Sequence, residues 1–277
     1  MNLTGKTALV TGAGRGFGWG IAVALARAGA SVCVTDINNE DIARTVSDIK
    51  TEGNTALGNY LDVADSEAFQ ATVNDAKERW GCLDILVHSA IYMPLVTFEN
   101  MSPASWQQQL NVALGGFYNG TRAVWDIMKE QGGGHIMGIA SGSSVRGYKE
   151  EVAYCTAKHA QEGFVKALAL EAAPYSIALN TVGPGKPIKT TRLTWQELEK
   201  VSVDEKSQWV DPADLGRAFV WLASQPPARF SGLRFDAGTI TDTLDREGEA
   251  FTVSPEKVTM YTGDFSERQA WMNGYED

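Results

Sequence analysis

Cysteine is scarce. Cys33, Cys82 and Cys155 are the three in 277 residues, too scattered for a disulfide framework, and no CxxC pair exists. A reducing interior is the expectation. Histidine also numbers three; His88, His135 and His159 show no metal-ligand spacing with Cys or Asp, so no metal site is expected. Long apolar runs are missing. The most apolar stretch, Ile21 to Val34, is broken by Arg27 and too short to span a bilayer. No basic, apolar and small-residue signal pattern precedes the strand-like run at Thr7. Basic residues are outnumbered, 24 against 34 acidic, for a formal charge of -10. Such a surface repels phosphate backbones and acidic lipids, which argues against nucleic-acid and membrane partners. A local basic pocket can still hold an anionic small molecule. Internal repeats and low-complexity segments are absent. The expectation is a soluble, cytoplasmic protein.

What is present is ordinary for a globular chain: 44% apolar and 21% charged residues, with length enough for a closed core. Short β-branched runs alternate with longer helical patterns. The predicted strands are Thr7–Thr11, Ser31–Thr35, Thr55–Tyr60, Asp84–Ser89, His135–Ala140, Ile177–Val182 and Leu233–Asp236. The predicted helices are Gly18–Ala28, Glu40–Glu52, Ser66–Arg79, Ser102–Glu130, Val152–Ala173 and Pro212–Ala223. This spacing predicts right-handed crossovers and a doubly wound α/β fold, a parallel sheet with helices on both faces. Two regions break the alternation. Residues 185–210 read as a lid or substrate loop within a domain of residues 1–242. Residues 243–277 read as a C-terminal arm, too short for its own core, packed on the surface or on a neighbouring subunit.

Thr11-Gly12-Ala13-Gly14-Arg15-Gly16-Phe17-Gly18 follows the first strand and opens the first helix. Glycines permit a tight turn and let backbone N–H groups approach a pyrophosphate at a helix N-terminus. That position predicts dinucleotide binding. Asp36 closes the second strand, where a carboxylate grips ribose hydroxyls and repels a 2′-phosphate. NAD is therefore favoured over NADP, although Asp36 could be a simple turn aspartate. Arg15 pulls toward NADP, yet Ile37 offers no basic partner for that phosphate. Asp62 and Val63, after the third strand, could meet the adenine edge. Phe17 could shape the nicotinamide face or simply pack.

Tyr154 and Lys158 lie four residues apart on one predicted helix, which places phenol and ammonium on one face. A cation beside a phenol favours the phenolate, so Lys158 is expected to lower the Tyr154 pKa. Ser141 ends the fifth strand, on the edge where parallel sheets bind ligands; its hydroxyl could polarise a substrate oxygen. Ser143 and Ser144 compete for that part. Asn111 could hold a water between Lys158 and solvent, or be a polar residue inside a helix.

Taken jointly, Thr11–Gly18, Asp36, Asn111, Ser141, Tyr154 with Lys158, and Asn180-Thr181-Val182-Gly183-Pro184-Gly185 resemble the short-chain dehydrogenase/reductase family, over residues 3–240. The resemblance implies a Rossmann fold with about seven parallel strands and a Ser/Tyr/Lys/Asn tetrad. It also implies homodimers or homotetramers, with the Tyr-bearing helix at an interface. By that resemblance Tyr154 is the acid/base, and Lys158 tunes it and holds the nicotinamide ribose. Ser141 orients the reacting oxygen, and Asn111 supports a relay water. Ser89, Ala90, Pro184, Gly185, Ile188 and Thr190 would line the cofactor. One departure stands out: the family's usual Asn-Asn-Ala-Gly is here His88-Ser89-Ala90-Ile91. His88 is read as structural.

The substrate is expected among Tyr92, Ser143, Arg146, Tyr148, Lys186, Arg192 and Trp195. The basic members suit an anionic group, and the aromatic ones a sugar or an apolar ring. The leading expectation is an NAD-dependent alcohol dehydrogenase acting on a small-molecule alcohol or carbonyl. An NADPH-dependent carbonyl reductase and a non-catalytic dinucleotide-sensing or scaffold protein are the alternatives.

Overall fold

The computed structural model describes residues 1–188 and 193–251. The chain runs β1 (Thr7–Thr11), α1 (Gly16–Arg27), β2 (Ser31–Asp36), α2 (Asn39–Thr51), β3 (Ala56–Tyr60), α3 (Ser66–Trp80) and β4 (Ile85–His88). Helices α4 (Pro103–Leu110) and α5 (Gly116–Glu130) follow, joined by a π turn over Asn111–Gly115. Then come β5 (Gly134–Ile139), α6 (Val152–Ala172), β6 (Ile177–Gly183), α7 (Trp195–Lys200), α8 (Val203–Lys206), α9 (Pro212–Ala223), β7 (Leu233–Asp236) and α10 (Ala237–Glu247).

The seven strands form one sheet in the order β3-β2-β1-β4-β5-β6-β7, with every pair parallel. This is the doubly wound, Rossmann-type architecture that the alternation predicts. Period-two side chains divide between two cores. Val10, Val32, Val34 and Val87 face α1, α9 and α10, whereas Leu9, Cys33 and Leu86 face α3, α5 and α6. Burial on both faces explains why the strands read as continuous apolar runs. Chain order reverses between β1 and β4, so the crevice at their carboxyl ends is the expected ligand position. No helix among the described residues is long and apolar enough to cross a membrane.

Two helical expectations change. The predicted helix Ser102–Glu130 is interrupted by the π turn, whose i→i+5 pattern cannot be read from apolar periodicity. The predicted break at residue 242 falls inside α10. Asp236 caps that helix through the Thr239 amide at 2.7 Å, and Ile240 and Leu244 are buried. Phe251 stacks on Trp221 with ring centroids 4.8 Å apart. The first nine residues of the expected arm, 243–251, therefore belong to the helix and core. Residues 252–277, with Tyr261, Phe265, Trp271 and Tyr275, lie outside the described residues.

Candidate active site

The glycine loop joins β1 to α1. Gly12 has φ +60°, and a Cβ there would lie 2.7 Å from the Ala90 Cα, so glycine is what lets this turn approach the end of β4. Helix α1 starts without a side-chain cap and with no acidic residue in its first turn. Its N–H groups at that end are thus left for an anion. Asp36 sits beside the loop. One carboxylate oxygen accepts from the Gly14 amide at 3.1 Å; the other accepts from Ile37 at 2.8 Å and Asn38 at 3.2 Å. The Arg15 guanidinium lies 3.7 Å from the Asp41 carboxylate, which competes for a cation that could favour a 2′-phosphate.

A cavity of about 400 Å³ opens here, lined by Gly12, Arg15, Asp36, Ile37, Asp62, Val63, Ser89 and Ala90 among others. These are eight of the residues chosen from the sequence as cofactor contacts. Tyr92, Ile91 and Val112 line its other side. The donor-rich helix end, the carboxylate and the cavity together fit a dinucleotide.

Ser141 follows β5 and caps a short 3₁₀ turn over Gly142–Ser144. Tyr154 and Lys158 project from α6, and both are buried. Burial pushes the Tyr154 phenol up to about 12; a hydrogen bond with Ser141 pulls against that, and the Glu151 carboxylate adds to it. The Lys158 ammonium lies 5.4 Å from the Tyr154 ring centroid. It donates to the Ile139 carbonyl at 2.6 Å and to the Gln161 amide oxygen at 3.1 Å. Burial pulls Lys158 down to about 8, opposed by Glu162. Desolvation thus drives both groups toward their neutral forms. The expected lowering of the Tyr154 pKa by Lys158 is not what this geometry gives.

His88 answers the departure at the end of β4. The Thr11 hydroxyl accepts from the amides of Ser89 and Ala90, so its own proton goes to His88 Nδ1, 3.1 Å away. Nε2–H then donates to the Val112 and Ala113 carbonyls at 3.2 and 3.1 Å, inside the π turn. Both ring nitrogens are used and the ring is neutral, with burial holding its pKa down to about 3. A Cβ on Gly116 would lie 2.8 Å from this ring, so the helix approaches only because residue 116 is glycine.

A family model described as short chain dehydrogenase matches residues 6–201. The chain belongs to that family. A 3-alpha-(or 20-beta)-hydroxysteroid dehydrogenase of Mycobacterium tuberculosis is 32% identical over 93% of this chain and 98% of its own. The carveol dehydrogenase of Mycobacterium avium, solved in complex with NAD, superposes with a TM-score of 0.75 at 27% identity, over 86% of this chain and 99% of its own. A metagenomic short-chain oxidoreductase in complex with NADP gives 0.71 at 26% identity, over 82% and 94%. This short-chain dehydrogenase is an oxidoreductase acting on hydroxyl or carbonyl groups, in a family that binds nicotinamide dinucleotides.

Several chosen residues lie elsewhere in this short-chain dehydrogenase. Asn111 is exposed, and its amide oxygen accepts from Gln107 at 2.8 Å. At the start of the π turn it faces solvent, and Val112 lines the cavity instead. Phe17 packs edge-on against Phe219, centroids 5.5 Å apart, and is buried in the core rather than facing a cofactor. Trp195 donates its indole N–H to the Gly14 carbonyl at 3.1 Å and lies beside Trp19 and Arg44, so it packs on the glycine loop. Lys186 is paired with Asp242 of α10. Gly185 has φ +67° and packs on Asp236, Pro184 accepts from the Gly238 amide at 3.1 Å, and Ile188 bridges Val210. Tyr148 folds over Gly142, Ser143 donates to Glu151 at 2.7 Å, and Arg146 is exposed at the end of the same turn. Thr190 and Arg192 lie outside the described residues.

Sequence reasoning missed Glu151, Gln161 and Arg234. Glu151 reaches Ser143 from just before α6, and Arg234 donates to the Ser141 carbonyl from β7. Gln161 carried a faint signal: an amide three residues after Lys158, on the helix face that the tyrosine and lysine share.

Proposed function

We propose that the protein is an NAD-dependent dehydrogenase of a secondary alcohol or sugar-like hydroxyl, with Tyr154 as acid/base. The observation that carries this reading is the meeting of Ser141, Tyr154 and Lys158 at the carboxyl edge of the sheet. A nicotinamide dinucleotide bound in the crevice supplies the hydride acceptor. The chain's own groups do the rest. Ser141 fixes the reacting oxygen. Tyr154 exchanges the hydroxyl proton, and Lys158 supplies the charge that a developing phenolate needs. Burial of Tyr154 and Lys158 keeps bulk water from competing.

NAD is preferred over NADP because the Asp36 carboxylate lies in the cavity wall and Arg15 is engaged by Asp41. Two copies or four form the working unit. Tyr118 and Leu170 are exposed on α5 and α6, beside a cleft of about 310 Å³ lined by Trp125, Phe164 and Leu168. The hydroxysteroid relative supports a cyclic secondary alcohol as substrate. Following absorbance of reduced nicotinamide across cyclic alcohols and polyols, with NAD and NADP in parallel, tests the reading. Turnover with NAD at least tenfold more efficient supports it. Turnover only with NADPH and carbonyls makes the protein a reductase.

A further inference from the structure

We propose that Gln161 is a positioning residue for the Lys158 ammonium, its carboxamide tying that cation to the π turn opposite. This inference rests on the dehydrogenase reading only for its kinetic consequence. Gln161 is buried. Its amide oxygen accepts from Lys158 at 3.1 Å, and its nitrogen donates to the Ala113 carbonyl at 2.7 Å. Neither contact can be inverted. An ammonium only donates and a carbonyl only accepts, so the two partners fix which way the amide points.

The same Ala113 carbonyl takes the Nε2–H of His88 at 3.1 Å. The run Thr11, His88, Ala113, Gln161, Lys158 is therefore one connected polar path from the glycine loop to the lysine. It crosses the π turn at the level where Asn111 points out to solvent. Two of the three ammonium protons are committed, to Ile139 and to Gln161. The third is left for one further acceptor, such as a ligand hydroxyl. Without the amide, the cation keeps a single acceptor in a site that already penalises charge.

The titratable groups facing Lys158 are Tyr154 and Glu162 on its own helix and the neutral His88 on β4. Arg234 of β7 lies behind Glu162, 3.8 Å from its carboxylate.

The test compares Gln161→Leu and Gln161→Glu in the full-length protein. The Lys158 side-chain signal is titrated by NMR, assigned through its loss in Lys158→Met. Leucine removes an acceptor and is expected to move the midpoint down by about one pH unit; glutamate adds a charge and is expected to move it up by at least as much. In turnover, Gln161→Leu is expected to lose about tenfold in kcat with the alcohol KM unchanged, and Gln161→Glu to recover part of the loss. Midpoints that stay put in both variants, or move the same way, overturn the proposal whatever the rates do. If Gln161→Leu does not fold, the direction of the Gln161→Glu shift decides alone. A wild type without turnover on any alcohol would defeat the dehydrogenase reading and leave the NMR result intact.

Discussion

Arg234 reaches from β7 to the backbone carbonyl of Ser141, 3.0 Å away, while its Nε stands 3.8 Å from the Glu162 carboxylate on the helix that carries Tyr154. One guanidinium thus joins the serine and the tyrosine–lysine helix. The Thr181 hydroxyl also reaches Glu162, at 3.1 Å. Both charged side chains are mostly buried, at 15% and 8% exposure, so neither can turn to water when the other is removed.

Replacing Arg234 by Met strands the Glu162 charge. Losing one partner of a buried pair costs about 3 kcal/mol. The double variant Arg234→Met with Glu162→Leu is expected to recover most of that stability, because no charge is left without a partner. Urea unfolding of the three proteins checks this; a double variant no more stable than Arg234→Met would contradict the coupling.

Asp36 is expected to set cofactor choice. Asp36→Ala removes a charged hydrogen-bond acceptor, worth about 2 kcal/mol, so NAD affinity should fall about thirtyfold. NADP affinity should hold or rise. Calorimetric titration with both cofactors measures the change in ratio.

His88 makes the fold acid-sensitive. Its pKa falls from the ordinary 6.5 to about 3 on folding, so between those values the unfolded chain binds a proton that the native state refuses. Stability is then full above pH 6.5 and is lost as pH falls toward 3. His135, lowered to about 4 by burial, acts in the same direction. His88→Asn is expected to flatten this acid slope, although it also weakens the path to Gln161. Chemical unfolding at pH 5 and pH 8 on both proteins is the measurement; equal slopes would contradict the assignment.

Asn111 tests the expected tetrad. Its side chain reaches Gln107 and solvent, so Asn111→Ala should leave kcat/KM within about twofold, well under the tenfold that 1.4 kcal/mol represents. A loss of tenfold or more would place the amide in the reaction.

The parts of the molecule that repeat by rule are legible in the sequence. Strand and helix positions followed apolar periodicity, and a parallel sheet covered on both faces followed from the strand–helix alternation. The glycine loop, Asp36, Ser141 and the Tyr154–Lys158 pair were legible because helix and strand phase fix which residues meet. The misses came where phase breaks. The π turn rotates α4 against its predicted register, which turns Asn111 outward and Val112 inward. Trp195 and Lys186 found partners at Gly14 and Asp242 across long sequence separations, which no local pattern records. Helix α10 was missed because residues 237–247 mix Thr and Asp among few apolar positions. The opposed directions of Tyr154 and Lys158 depend on burial, a tertiary quantity.

The central claim is that Tyr154 exchanges the proton in an NAD-linked oxidation. Formation of reduced nicotinamide from NAD and a secondary alcohol, compared between the wild type and Tyr154→Phe, tests it most directly. The account predicts turnover in the wild type and a loss of at least a hundredfold in kcat for the phenylalanine variant, the scale of a general acid–base contribution, with NAD binding retained. Equal turnover in the two proteins would contradict it.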